Sequence, residues 1–187
     1  GGFFRLYNAK TFELLGELQP FAGFERGTSF ALALLGDLLV SGGYDSKVKR
    51  WSIRELTCTA TLTEHTGNVN SVDLSDEVIV TASDDGTARV WPREGGASRH
   101  TLQHPNAVTA IAVEADLIAT GCDDWLVRTW SAASGQLTRT LRGHGSWVVS
   151  VVLCSAMLLS GACDESVRVW ALSEEGGCVA TAEGHTN

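Results

Sequence analysis

Four tryptophans at nearly equal intervals constrain the fold of this chain more than any other feature. Trp51, Trp91, Trp130 and Trp170 are separated by 40, 39 and 40 residues. A period of about forty residues is typical of one structural unit that is stacked repeatedly along the chain. The sequence therefore predicts a repeat protein, in which each unit contacts its neighbours and the whole provides a surface for partners.

The same polar pattern precedes each tryptophan. An aspartate lies six residues before it, a hydroxyl residue four before that aspartate, and a basic residue two before the tryptophan. In three copies a histidine lies twenty residues before the aspartate, whereas Glu25 takes this position in the first copy and His185 begins a further one. The pattern residues are Ser41, Asp45, Lys49; His65, Thr81, Asp85, Arg89; His104, Thr120, Asp124, Arg128; His144, Ser160, Asp164, Arg168.

This period and these residues resemble the WD-repeat β-propeller family, and the resemblance covers nearly the whole chain. It implies an all-β fold of four-stranded antiparallel blades. It also implies that the histidine, hydroxyl residue, tryptophan and aspartate of each repeat form a hydrogen-bonded structural tetrad. The chemistry agrees, because a buried aspartate needs donors, a histidine can bond through both ring nitrogens, and an indole N–H needs an acceptor.

Short apolar runs separated by turn residues support the same fold. Each unit contains four runs, as expected for an antiparallel meander. The second run of each unit is continuously apolar, which predicts a strand covered on both faces. The predicted divisions are a half blade at 1–24, blades at about 25–63, 64–103, 104–142 and 143–183, and the start of another repeat at 184–187. We interpret the chain as an incomplete part of a seven-bladed ring by resemblance, with the remaining blades of the parent propeller as its neighbours; a complete five-bladed ring is the alternative.

The recurrence of hydroxyl, histidine and aspartate also invites comparison with a hydrolase triad, for which Thr120, His104 and Asp124 are one candidate set. An enzyme needs a single activated nucleophile beside an oxyanion site, and it does not need the same set in every repeat. We therefore predict a structural role and a protein that is not an enzyme, with no catalytic, cofactor-binding or metal-binding residues.

Composition narrows the function classes further. The net charge of −8 and pI near 5.0 argue against nucleic-acid binding, which requires a basic footprint. No uninterrupted apolar run reaches the length of a membrane span. Five cysteines without C-x-x-C spacing predict buried, reduced thiols in a cytoplasmic or nuclear protein rather than a metal site.

Binding on a propeller is expected at loops and strand ends. The resemblance implies that protein or peptide partners dock on one rim, which carries the residue before each tetrad aspartate and a residue near the start of each first strand. By position these candidates are Tyr44, Asp84, Asp123 and Cys163, then Phe30, Asn70, Thr109 and Val149, with Trp125 and Trp147 nearby. The aromatic residues are typical interface anchors, and the aspartates could attract a basic segment. Local packing of the aromatics and solvation of the aspartates are the alternatives.

The predicted function is a non-catalytic protein-interaction scaffold. The alternative is the substrate-receptor propeller of an F-box-type ubiquitin ligase, because the short first-to-second hairpins are similar to those of F-box/WD-repeat proteins. Some such receptors hold phosphorylated peptides with rim arginines, and the corresponding positions here are not arginine. A phosphopeptide pocket of that kind is therefore not expected on these blades.

Overall fold

The computed structural model describes residues 4–18, 29–173 and 177–184, and all regular elements within them are strands. One two-stranded sheet is followed by four sheets of four antiparallel strands, and each four-stranded sheet is called a blade here. The two-stranded sheet contains β1 (Phe4–Tyr7) and β2 (Leu14–Leu18). The prediction of an all-β propeller built from such blades is confirmed, and the sheets do not close into a ring within the described residues.

The blades follow one another in chain order. Blade 1 contains β3 (Ser29–Leu35), β4 (Leu38–Gly43), β5 (Val48–Ser52) and β6 (Thr57–Leu62). Blade 2 contains β7 (Val69–Leu74), β8 (Val78–Ser83), β9 (Thr87–Pro92) and β10 (His100–Gln103). Blade 3 contains β11 (Val108–Glu114), β12 (Leu117–Cys122), β13 (Val127–Ser131) and β14 (Leu137–Leu141). Blade 4 contains β15 (Val148–Cys154), β16 (Met157–Ala162), β17 (Ser166–Ala171) and β18 (Cys178–Glu183).

The core lies between blades and not within them. Trp91 of blade 2 packs against the β4 and β5 side chains Val40 and Val48 of blade 1. Trp130 and Trp170 repeat this contact on blades 2 and 3. Consequently β4 and β8 are buried along their whole length. In β16 the burial is partial, because within the described residues no blade covers its outer face.

The meander gives the molecule two distinct sides. The turn between second and third strands and the segment entering the first strand lie on one side, called the upper rim. The first-to-second hairpins and the third-to-fourth turns lie on the other, called the lower side. On the upper rim the residue after each tetrad aspartate has a positive φ of 60° to 79°; these residues are Ser46, Gly86, Trp125 and Glu165.

The expectation of buried thiols is wrong for four of the five cysteines. Cys122 is buried, and burial raises its pKa to about 11. Cys58, Cys154, Cys163 and Cys178 are exposed, and all five are unpaired. Cys58 and Cys178 lie on outer strands that are mostly exposed, Cys154 ends β15, and Cys163 lies in a turn. A cysteine on or beside a strand is therefore not buried by its element alone.

Candidate functional site

Blade 2 brings its four pattern residues into one hydrogen-bonded chain. The Nδ1 atom of His65 lies 2.8 Å from Oδ2 of Asp85, and its Nε2 atom lies 2.7 Å from the Thr81 hydroxyl. The indole N–H of Trp91 donates to the same hydroxyl at 2.9 Å. If Nδ1 of His65 donates to the carboxylate, Nε2 accepts from the hydroxyl, so every polar group has a partner in one tautomer.

Blade 4 repeats this arrangement. Nδ1 of His144 lies 3.0 Å from Oδ2 of Asp164, and Nε2 lies 2.7 Å from the Ser160 hydroxyl, which also accepts the indole N–H of Trp170 at 2.8 Å. The hydroxyls of Thr81 and Ser160 are buried in their blades. Each is enclosed between an imidazole and an indole, and neither is positioned to attack a substrate.

Further donors hold the carboxylate of Asp85, among them the backbone N–H of Thr87 at 2.9 Å. The backbone N–H of Thr66 donates at 3.0 Å and the hydroxyl of Thr87 at 2.6 Å. Burial by itself would raise the pKa of Asp85, but the hydrogen bonds from Thr87, His65 and Thr66 outweigh it and lower the pKa to about 2. Burial lowers the pKa of His65, so at neutral pH an ionised aspartate faces a neutral imidazole.

Asp164 is held by equivalent donors. The backbone N–H of Gly145 and the hydroxyl of Ser166 both donate to its carboxylate at 2.7 Å. Burial opposes ionisation here too, but the bonds from Gly145, Ser166 and His144 lower the pKa of Asp164 below its ordinary value. Thr87 and Ser166 were not identified from the sequence. A comparison of the residue two positions after each tetrad aspartate would have found them.

Blade 3 departs from the predicted tetrad. Nδ1 of His104 lies 3.0 Å from the carbonyl oxygen of Leu102 and does not bond to Asp124. The carboxylate of Asp124 instead accepts two hydrogen bonds from the Arg128 guanidinium, at 3.1 and 2.5 Å. Burial would raise the pKa of Asp124, but the bonds from Arg128 and its positive charge contribute to lowering it. The expected histidine–aspartate bond of this blade is therefore a wrong prediction.

The rest of the blade 3 network is formed. Nε2 of His104 lies 2.9 Å from the Thr120 hydroxyl, which accepts the indole N–H of Trp130 at 3.0 Å. Burial lowers the pKa of His104 to about 4, and the nearby charge of Arg128 acts in the same direction. Thr120, His104 and Asp124, the set that resembles a hydrolase triad, are thus not joined in one network.

Two residues explain why Asp124 bonds to Arg128 and not to His104. Pro105 follows the histidine in blade 3 and has no backbone N–H, so one donor found in blades 2 and 4 is missing. Leu126 occupies the position that carries a hydroxyl in those blades, so a second donor is missing. Because a largely buried carboxylate needs donors, Asp124 pairs with Arg128, four residues ahead on the same strand pair.

Blade 1 shows only part of the pattern. The indole N–H of Trp51 donates to the Ser41 hydroxyl at 3.0 Å, and Asp45 accepts the backbone N–H of Lys47 at 3.2 Å. Glu25, which takes the histidine position, lies outside the described residues, as does His185.

The first-strand candidates for partner binding lie at the joints between blades. Residues 30, 70, 109 and 149 each coincide with a β-bulge in β3, β7, β11 and β15. Asn70 donates to the Val108 carbonyl of blade 3 at 3.1 Å, and the Thr109 hydroxyl donates to the Val148 carbonyl of blade 4. These two residues connect neighbouring blades, Val149 is exposed, and the side chain of Phe30 lies outside the description.

The candidate aromatic residues are exposed on the upper rim. Tyr44, Trp125 and Trp147 are 49, 50 and 54% exposed and belong to blade 1, blade 3 and the entry to blade 4. Cys163 is exposed beside Trp147, whose carbonyl oxygen accepts its backbone N–H at 2.8 Å. Trp125 has a φ of 71°, which is uncommon for a residue other than glycine.

The two acidic candidates differ in how they are held. Asp84 is exposed, and the side-chain amides of Asn68 and Asn70 donate to its carboxylate at 2.9 and 2.6 Å. Asp123 is half-buried. Burial raises its pKa, and the negative charges of Asp84 and Asp124 raise the pKa further. Within the described residues Asp123 makes no side-chain hydrogen bond. Asn68 was not singled out from the sequence.

The described residues contain no cluster of His, Cys, Asp and Glu able to hold a metal ion. They also include no helix of the length and apolarity needed to cross a membrane. The described residues form hydrogen-bonded networks inside the blades, and exposed aromatic and acidic side chains lie on the upper rim.

Comparisons with known proteins agree with this architecture. The family model "WD domain, G-beta repeat" matches residues 56–92, 96–131 and 135–171. The DENN domain and WD repeat-containing protein SCD1 of Arabidopsis thaliana is 28% identical over 178 residues, which are 94% of this chain and 11% of that protein. The F-box/WD repeat-containing protein sel-10 of Caenorhabditis elegans is 39% identical over 67 residues, or 35% of this chain and 11% of that protein.

The chain thus spans about a tenth of the length of these relatives. Among solved structures, the computationally designed Ika4 protein superimposes with a TM-score of 0.75 and 29% identity, covering 81% of this chain and 95% of that one. Each matched range runs from the outer strand of one blade or the turn beside it to the tryptophan of the next, so the sequence repeat links neighbouring blades. The three family matches cover more than half of the residues, and this chain belongs to the WD-repeat family.

Proposed function

We propose that the chain is a non-catalytic scaffold whose upper rim binds a protein or peptide partner. The observation that carries the proposal is the exposure of about half of each of three aromatic side chains, Tyr44, Trp125 and Trp147, on that rim. Tryptophan and tyrosine are enriched among residues that dominate binding energy. Unpaired exposed thiols are compatible with a reducing compartment, so we place this scaffold in the cytoplasm or nucleus.

The acidic rim residues favour a partner segment with a lysine or arginine. Asp84 is held in place by two side-chain amides, whereas the carboxylate of Asp123 makes no hydrogen bond among the described residues. Burial raises the pKa of Asp123, and the negative charge of Asp84 raises it further. A cation bound between the two carboxylates would relieve their repulsion. The net charge of −8 would also favour approach of a basic partner.

The rim is tested by comparing bound proteins for wild type and the double variant Tyr44→Ala/Trp125→Ala, by quantitative proximity labelling in cells. The matched control is Leu137→Ala, because Leu137 is 49% exposed on the outer strand β14, away from the rim. We expect a defined group of partners to be lost from the rim variant and kept by the control. Identical partner sets for all three proteins would remove the upper rim as the binding surface.

A second candidate function is substrate reception in a ubiquitin ligase, which the similarity to an F-box/WD repeat protein favours. This function requires an F-box elsewhere in the full-length protein. Sequencing the full transcript tests it directly: an F-box preceding these repeats would support it, and a full-length sequence lacking one would exclude an F-box-type receptor.

A further inference from the structure

A cavity of about 660 Å³ opens on the lower side between blades 2 and 3. Its volume lies within the range of about 300–1,000 Å³ that is usual for ligand sites. It is separated from the upper rim by the length of the strands. It is lined by residues 75–78 and Arg99 of blade 2 and by residues 115, 116, 132 and 133 of blade 3.

The cavity exists because one repeated position carries a small residue. The residue two after each tryptophan is Ile53, Arg93, Ala132 or Leu172, and its backbone N–H bonds to the first hairpin of its own blade in every case. Ile53 and Leu172 pack into apolar clusters, and Arg93 extends to the preceding blade. Ala132 ends at a methyl group, so the equivalent space below blades 2 and 3 is left unfilled.

Arg93 shows which group fits such a space. Its Nη1 donates to the carbonyl oxygen of Ser75 at 2.7 Å, and its Nη2 donates to that of Leu35 at 3.3 Å. Leu35 and Ser75 hold equivalent positions in the first hairpins of blades 1 and 2, and Glu114 holds the same position in blade 3. The guanidinium thus spans two neighbouring hairpins. The next pair of hairpins shares the Ser75 carbonyl, which accepts from Arg93 with one of its two lone pairs, and carries alanine at the position equivalent to Arg93.

The charges around the cavity favour a cation. Asp76, Glu77 and Asp116 contribute three carboxylates, against the single guanidinium of Arg99 in the lining. The side chain of Asp76 is 95% exposed, and its ion pair with Arg93 is long, at 3.8 Å. The remaining lining is largely alanine and Val78, against which the methylene groups of a long basic side chain can pack.

We propose that this cavity binds an arginine side chain of a partner polypeptide, whose guanidinium takes between blades 2 and 3 the place that Arg93 takes between blades 1 and 2. Arginine is the fitting residue because its planar guanidinium presents several donors in directions that can serve two carbonyl groups and a carboxylate at once. The site is separate from the upper rim and independent of the function proposed for it.

The test uses the 187-residue chain and two small probes, N-acetylarginine methylamide and its uncharged citrulline analogue. Binding is followed by chemical-shift changes at the Ala132 and Ala133 resonances. We expect saturable shifts with the arginine probe and at least tenfold weaker binding of the citrulline probe. Equal binding of the two probes, or no saturable shift with either, would overturn the proposal.

Two kinds of variant locate the probe. Ala132→Arg and Ala132→Leu fill the cavity with side chains found at this position in other blades, and both should lose at least tenfold in affinity. Asp76→Asn/Glu77→Gln removes two charges from an exposed hairpin and should cause a similar loss. The control Glu55→Gln/Glu183→Gln changes the net charge equally at exposed sites away from the cavity, and it should bind as wild type does.

These outcomes are separable from those of the rim. If a cavity-filling variant fails to fold, the hairpin variant still decides the question, because Asp76 and Glu77 are exposed. Trp125→Ala should leave probe binding unchanged. Unchanged affinity in the hairpin variant, or an equal loss in the charge control, would show that the arginine is held by overall charge and not by this cavity.

Discussion

Blades 2 and 3 use the same four residue types and arrive at different hydrogen-bond networks. In blade 2 the aspartate bonds to the histidine, whereas in blade 3 it bonds to an arginine of the same blade. The histidine, hydroxyl and tryptophan are joined in both. The difference teaches that the aspartate's partner depends on the accessory donors around it, which Pro105 and Leu126 remove in blade 3.

The largest expected effect is the loss of stability when the tryptophan, which both blades bond to a threonine hydroxyl, is removed. Trp91→Ala and Trp130→Ala should each lower the free energy of unfolding by about 4 kcal/mol, because each leaves a large cavity between blades and a hydroxyl without its donor. Urea denaturation measures both, with Trp147→Ala as an exposed tryptophan control costing less than about 1 kcal/mol. A much smaller loss in blade 3 would show that its remaining network contributes little.

Acid should affect blade 2 through Asp85. A folded-state pKa of about 2, below the ordinary value, means that its stabilisation is complete above the unfolded pKa near 4 and is lost as pH falls through 2. The loss amounts to about 2 kcal/mol. It is measured as the difference between the free energies of unfolding obtained from urea denaturation at pH 6 and at pH 2. Asp85→Asn should flatten this part of the pH profile, and an unchanged profile in that variant would contradict the assignment.

The accessory hydroxyl is tested by removing it where it exists. Thr87→Val keeps the side-chain shape and deletes the donor to Asp85, so we expect a loss of about 1.5 kcal/mol in chemical denaturation. Leu126→Val, at the equivalent position in blade 3, deletes no donor and should cost less. Equal losses at the two positions would mean that packing and not the hydrogen bond is responsible.

The smallest effect is also the sharpest test of the comparison. Pro105→Thr/Leu126→Thr gives blade 3 the residues of blade 2 and should return Asp124 to His104. A hydrogen bond to a carboxylate raises the pKa of a histidine, so the pKa of His104 should rise above its value of about 4. NMR titration of the ring nitrogens measures it, and a pKa that stays at about 4 would show that Arg128 holds Asp124 regardless.

Much of the fold could be predicted, because the relevant signals are periodic. In blade 3 the first two apolar runs of the sequence, 108–113 and 117–120, correspond to strands β11 and β12, which end one and two residues later. Apolar runs and turn residues are local properties, so they can be found along the chain. The altered bonding of Asp124 could not be predicted from the shared pattern, because it depends on two residues outside that pattern. The bulges at Asn70 and Thr109 were likewise hidden, since a bulge is a feature of pairing between strands.

The sequence by itself determined that this protein is a stack of similar blades, because a forty-residue period and its tryptophans recur wherever they are read along the chain. Only the tertiary structure decided which carboxylate bonds to which donor and where the lower side remains open. Both depend on groups that approach across blades or turns: the unfilled space at Ala132 becomes a cavity only when the hairpin of blade 2 lies beside it.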